Sequence, residues 1–188
     1  MNHIPYSYVV RVIENPSKSV IEYSKKPGQW YWMEGGYSAI QSSKPQTLGY
    51  GLNDSPSGLA GWLIEKYRSW SDCDGEVEKR FSKDESLANI SVYWVTQTIT
   101  SSCRLYYENG MDWGQSKDNG EERVPTAVAI FPKDILPPPR ELVEYWFPGV
   151  SVTEMPKGGH FAAFEEPELL AEDLRKFFRP LRLSDGYK

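Results

Sequence analysis

After Leu52 the apolar and polar positions fall into blocks whose periods can be read directly. In NDSPSGLAGWLIEKYRSW, Leu59, Leu63, Tyr67 and Trp70 recur on one helical face, while Asp54 or Ser55 can cap and Pro56 suits a first turn. This pattern predicts a helix over 56–70. A polar loop, SDCDGEVEKRF, follows, and then Ser82 and Glu85 match a capping box at the head of a long helix. Ile90, Trp94 and Val95 set the apolar face of that helix, and the polar run TQTITSSC predicts a bend or break before Arg104-Leu105-Tyr106-Tyr107. Residues 108–123 read as a loop, and residues 1–28 show no clear period.

The last third changes character. Thr126 to Phe131 is an almost unbroken apolar run with β-branched residues, as expected of a strand buried on both faces. Pro137, Pro138 and Pro139 open a short helix through Glu144, and Val150 to Met155 reads as a second strand. Pro167 to Phe178 is amphipathic, with Leu170, Leu174, Phe177 and Phe178 turned inward. The order β-α-β-α is that of a parallel sheet, so the fold class is α/β.

Composition narrows the function classes. The 188 residues, 39% hydrophobic and 25% charged, suit one globular domain, and a net charge of −5 with scattered basic residues argues against a nucleic-acid partner. No apolar run is long enough to cross a bilayer and the start lacks a basic leader, so the expectation is a soluble, cytoplasmic protein. Cys73 and Cys103 lie in different segments without C-x-x-C spacing, which predicts buried free thiols, and soft ligands are too few for zinc. No metal or other cofactor is expected.

Chemistry in a parallel α/β sheet collects in loops beyond the carboxyl ends of strands. Asp134 follows the first strand and His160 the second, so adjacent strands would let the carboxylate orient the imidazole and leave its other nitrogen as general base. Spacing alone fits equally an Asp134 that caps its turn and a His160 that is an ordinary loop residue.

Six segments add a resemblance: Gly36-Tyr37-Ser38-Ala39-Ile40-Gln41, Leu52-Asn53-Asp54-Ser55-Pro56, Tyr93-Trp94-Val95-Thr96, Arg104-Leu105-Tyr106-Tyr107-Glu108, Phe131-Pro132-Lys133-Asp134 and Gly158-Gly159-His160-Phe161. In this order the chain resembles microsomal-type epoxide hydrolases of the α/β-hydrolase fold, the soluble fungal members most of all. The resemblance implies conversion of an epoxide and water to a vicinal diol, in epoxide metabolism and detoxification. It implies an aspartate that opens the ring and forms an ester, His160 as the base that activates water, Asp134 as its acid, and Tyr37 and Tyr106 as cap donors to the ring oxygen. Without it, Tyr37 and Tyr106 read as core aromatics among twelve tyrosines.

The resemblance also implies a division at about residue 120. Residues 1–120 would be a helical cap portion with connecting loops, and 121–188 the carboxyl-terminal part of the hydrolase core. The family's G-G-D-W-G-like nucleophile turn and its H-G-W-P-type oxyanion segment do not occur in the chain. Met111-Asp112-Trp113-Gly114 contains D-W-G, but in a polar loop with no buried strand before it. The expectation is therefore the carboxyl-terminal portion of such an enzyme, with Met1 a start inside a longer or broken reading frame. Two strands cannot cover a sheet's faces, which predicts low stability alone and an amino-terminal half or a second copy as partner. The alternative is an inactive or binding module derived from an α/β-hydrolase. Ester or haloalkane hydrolysis fits the paired tyrosines less well.

Overall fold

Local chemistry sets most helix boundaries in the computed structural model, which describes residues 13–111 and 124–182. Helix α1 (Lys18–Glu34) begins where the Ser17 hydroxyl accepts from the Val20 N–H at 3.4 Å. It runs through part of the stretch that shows no period in the sequence. Its buried positions are Val20 and Ser24, one of them polar, and Pro27 lies inside it, so the usual signs of a helix are concealed. Helices α2 (Gly36–Ser43) and α3 (Pro45–Asp54) follow without a side-chain cap, and no pattern announces them.

Helix α4 (Pro56–Trp70) matches its predicted bounds, with Ser55 accepting from the Gly58 N–H at 3.0 Å. Helix α5 (Lys83–Thr96) carries the predicted capping box: the Glu85 N–H donates to the Ser82 hydroxyl at 3.2 Å, and the Ser82 N–H donates to the Glu85 carboxylate at 2.9 Å. It stops at Gln97, a left-handed residue with φ 57°, and this is the break that TQTITSSC predicts. Helix α6 (Ile99–Met111) then runs four residues into the predicted 108–123 loop. Ile90 is buried but Val95 is 78% exposed and leaves the predicted apolar face. At about 100° per residue, five positions carry Val95 roughly 140° around the helix from Ile90.

The helical core joins Leu52, Leu59, Ile90, Ile99 and Cys103. Gly49 lets α3 approach Thr100 of α6 closely, and Asn53 donates to the Thr100 hydroxyl at 2.9 Å. Cys73 and Cys103 are buried and free, as expected.

Strand β1 (Ala127–Ile130) pairs in parallel with β2 (Ser151–Glu154), Ala127 opposite Ser151 and Ile130 opposite Glu154. Helix α7 (Arg140–Trp146) connects them, and α8 (Ala162–Glu165) and α9 (Pro167–Leu181) follow. The β-α-β-α order is as predicted, but burial of β1 on both faces is not. All four β1 residues are only partly buried, because among the described residues the sheet has two strands. The stripe on α9 has the same fate. Leu174 and Phe178 are 47% and 48% exposed rather than inward, since two strands are too narrow to cover the helix.

Helical and sheet parts meet at several places, three of which are buried packing or ionic contacts. Val20 of α1 packs on Leu142 of α7, both fully buried, and Tyr37 and Trp70 pack on Ile135. Each such aliphatic burial stabilises by about 1.5–3 kcal/mol. The third is Arg80, whose guanidinium reaches Asp72 at 3.2 Å and Glu166 at 2.8 Å with all three side chains largely buried. Exposed pairs such as Lys18–Glu22 contribute about 0.3–0.5 kcal/mol, so the Arg80 cluster is the ionic contact that matters between the parts.

Candidate functional site

Two loops beyond the sheet form the first half of the site. The chain leaves β1 through Phe131-Pro132-Lys133-Asp134, where the Asp134 N–H donates to the Phe131 carbonyl at 3.2 Å. It leaves β2 through Met155 to Gly158. The two loops are tied where the Lys133 N–H donates to the Gly158 carbonyl at 3.0 Å and Lys133 pairs with Gly159 as a parallel bridge. His160 Nδ1 then lies 2.7 Å from Asp134 Oδ1. The closeness inferred from strand order is therefore present, and so is the turn-capping contact, since Asp134 Oδ1 also accepts from the Ile135 N–H at 2.6 Å.

The charge state of Asp134 decides the direction of the histidine bond. Burial works to raise its carboxyl, but the hydrogen bond from His160, the Ile135 N–H and the charge of the imidazole together hold it below the ordinary carboxylate range. An ionised carboxylate only accepts, so Nδ1–H donates and Nε2 is left free.

Helices supply the second half. Tyr37 on α2 and Tyr106 on α6 meet edge to face, with ring centroids 5.9 Å apart. Tyr37 is 8% exposed; burial pushes its phenol up to about 12, with the neighbouring Tyr106 phenol adding to the rise. It therefore stays a donor through neutral pH. Both tyrosines line a cavity of about 590 Å³ whose walls include Trp62, Tyr93, Phe161 and Phe164. Lys66 places its ammonium 4.7 Å from the Tyr37 ring centre and 5.0 Å from that of Trp70.

The tyrosine pair and the His160–Asp134 pair are joined by a residue that reads in the sequence as one more apolar helix position. Trp70, at the end of α4, lies in the cavity wall, 5.0 Å from the Tyr37 ring and 5.3 Å from the His160 ring. Its carbonyl accepts the His160 N–H at 2.9 Å. Nothing in the spacing of the 56–70 helix marks Trp70 as different from Leu63 or Tyr67. The D-W-G segment, residues 112–114, lies outside the described residues. Among the described residues no group of His, Cys, Asp and Glu has the arrangement of a metal site.

Acid should weaken this arrangement. Asp134 lies below its unfolded value, and so does Glu166, where burial is outweighed by hydrogen bonds and charge from Lys157 and Arg80. Groups depressed in this way stabilise the fold above the unfolded carboxylate range, near pH 4, and lose that contribution as pH falls further. The thermal midpoint should drop between about pH 5 and pH 3, with a shallower slope in Asp134→Asn; an unchanged slope would remove Asp134 from the acid response.

No family model matches the chain. It is 44% identical over 148 residues to a putative epoxide hydrolase of Stigmatella aurantiaca, covering 78% of this chain and 33% of that protein. It is 48% identical over 154 residues to epoxide hydrolase 1 of Sus scrofa, covering 77% of this chain and 34% of that protein. The crystal structure of juvenile hormone epoxide hydrolase from Bombyx mori superimposes with a TM-score of 0.78 at 30% identity, over 95% of this chain and 44% of that one. The epoxide hydrolase of Aspergillus niger gives 0.69 at 28% identity, over 89% and 43%. The chain thus spans about a third of the length of the curated relatives it matches.

Proposed function

Because this chain belongs to the epoxide hydrolases of the α/β-hydrolase superfamily, we propose that it supplies the base, its acid and the oxygen-binding tyrosines of an enzyme that adds water to an epoxide. Residues 1–120 act as the helical cap portion and 121–188 as the carboxyl-terminal part of the core. The observation that carries the reading is the pairing of Tyr37 with Tyr106 beside the pairing of His160 with Asp134, bridged by Trp70.

Chemistry follows from these residue types. The phenols of Tyr37 and Tyr106 donate to the epoxide oxygen, and a carboxylate from a segment outside this sequence attacks a ring carbon. The carbon–oxygen bond breaks, the oxygen takes a proton from a tyrosine, and an ester to the enzyme forms. His160 Nε2 then takes a proton from water while Asp134 stabilises the imidazolium through Nδ1. The hydroxide adds to the ester carbonyl, the acyl–oxygen bond breaks, the departing oxygen takes the proton of the added hydroxyl, and the diol leaves with the carboxylate restored. The proton on His160 returns, directly or through solvent, to the tyrosine that gave one up.

A second reading has its own support. The half-exposed Leu174 and Phe178 of α9 and the partly buried β1 are a surface that another polypeptide would cover, an amino-terminal part or a second copy. On that reading the chain is a binding module. Among the described residues no helix is long and apolar enough to cross a membrane.

Styrene oxide separates the two. It is given to the purified chain, and again after mixing with a separately expressed segment of a relative that carries the family's aspartate. Diol from the mixture alone is the expected result. Its absence from both would remove the enzymatic reading for this polypeptide.

A further inference from the structure

The loop that carries His160 is held by a carboxylate with no part in the scheme above. Four consecutive backbone N–H groups have their acceptors outside residues 158–161. Gly158 donates to Asp72 Oδ2 at 3.0 Å, Gly159 to Glu165 Oε2 at 3.0 Å, His160 to the Trp70 carbonyl at 2.9 Å, and Phe161 to Glu165 Oε1 at 3.0 Å. The Asp72 N–H donates to the same Glu165 Oε2 at 2.6 Å. One carboxylate, 7% exposed, therefore gathers N–H groups from its own loop and from Asp72, 93 residues before it in sequence.

The fit leaves no slack. A Cβ added at Gly159 would sit 2.7 Å from the Trp70 carbonyl oxygen, 2.9 Å from the Asp72 nitrogen and 3.0 Å from Glu165 Oε1. Gly158 has φ +103°, a conformation that side chains rarely allow. Around this knot, Arg80 donates to the Asp72 carbonyl at 2.7 Å and to Glu166 at 2.8 Å, and Lys157 meets Glu166 at 2.6 Å.

We propose that Glu165 is a positioning residue for His160. Its two oxygens hold the N–H groups of the residues on each side of the histidine, and through the Asp72 N–H they tie both to the end of α4, where Trp70 touches the ring of Tyr37. Asp134 holds Nδ1 and Glu165 holds the backbone. Together they set the direction of Nε2 relative to the tyrosines. Acting through backbone amides, Glu165 needs no contact with substrate. A carboxylate suits the task because it only accepts, and three N–H donors meet two oxygens with no competing hydrogen.

This inference rests on His160 being the base, but its test does not use catalysis. The chain contains two histidines, His3 and His160, so ring signals are resolvable by nuclear magnetic resonance of the purified protein. In Glu165→Gln one oxygen becomes an amide that cannot accept, leaving at least one N–H unpaired. Exchange of the Gly159 and Phe161 amide protons should then quicken by about tenfold or more, and the His160 Nδ1–H signal should be lost or split. Glu168→Gln, at an exposed position nearby, should change neither. Faster exchange with an unchanged ring signal would make Glu165 a partner of the backbone only and overturn the proposal. Should Glu165→Gln fail to fold, native-state exchange of the unaltered chain decides. The Asp72, Gly159 and Phe161 amides should open at one common rate together with the His160 ring proton, and separate rates would overturn the proposal. Failure here is read in the ring spectrum, whereas failure of the enzymatic reading is read in missing diol.

Discussion

An enzyme assembled from this chain and the aspartate-bearing part of a relative should accumulate its ester when His160 is replaced by glutamine. Glutamine keeps much of the side chain's reach but takes no proton from water, so the second step loses its base while the first keeps every group it uses. Turnover should fall by about 10²–10⁴-fold, the usual contribution of a positioned general base. The rate of ring opening should stay near that of the unaltered enzyme. Mass spectrometry of the quenched protein checks this, because the trapped ester adds the mass of one epoxide. Diol released at the normal rate would take His160 out of the mechanism, and a variant that neither turns over nor carries the ester would place its effect on the first step.

Tyr37→Phe and Tyr106→Phe should give the opposite signature. Phenylalanine keeps the ring, and hence the edge-to-face packing at 5.9 Å, and removes only the phenolic hydroxyl. Each loss should slow ester formation by about 10²–10³-fold, the scale seen when one oxyanion donor is removed. The ester that does form should hydrolyse at the normal rate. The double variant should lose less than the product of the two, because groups that act on one oxygen do not act independently. Rapid-quench measurement of the two steps distinguishes them. Equal slowing of both would mean that the cavity has shifted, and the donor role would fall. Burial of Tyr37 is what makes it a dependable donor, since a phenol pushed up to about 12 keeps its proton across the working pH range.

Sequence and structure agree most where a local rule is sufficient. Helix α4 and the capping box of α5 depend on neighbours three and four residues away, and both stand where their patterns place them. Helix α1 depends on Leu142 to cover Val20, and that contact crosses more than a hundred residues, so its own residues carry little signal. The strands were readable as strands, but their burial was not, because burial depends on how many other strands lie alongside.

The site divides in the same way. The closeness of Asp134 and His160 could be inferred from position, because loops after adjacent parallel strands lie side by side, whereas position alone left their roles open. Tyr37 and Tyr106 could not, since a buried phenol that packs on Trp70 looks in sequence like any core aromatic; the family resemblance singled them out. Glu165 was hidden by its setting. In FAAFEEPELL it reads as part of a helix start, and its acceptor role appears only when Asp72 and Gly159 reach it from elsewhere in the fold.

Trp70 has one further consequence. Its ring is a wall of the cavity and its carbonyl is a mount for His160. A bulky guest that levers the wall outward also drags the mount, so accommodation and speed are mechanically geared to each other. In the proposed enzyme, enlarging the cavity from this side would trade reach for alignment.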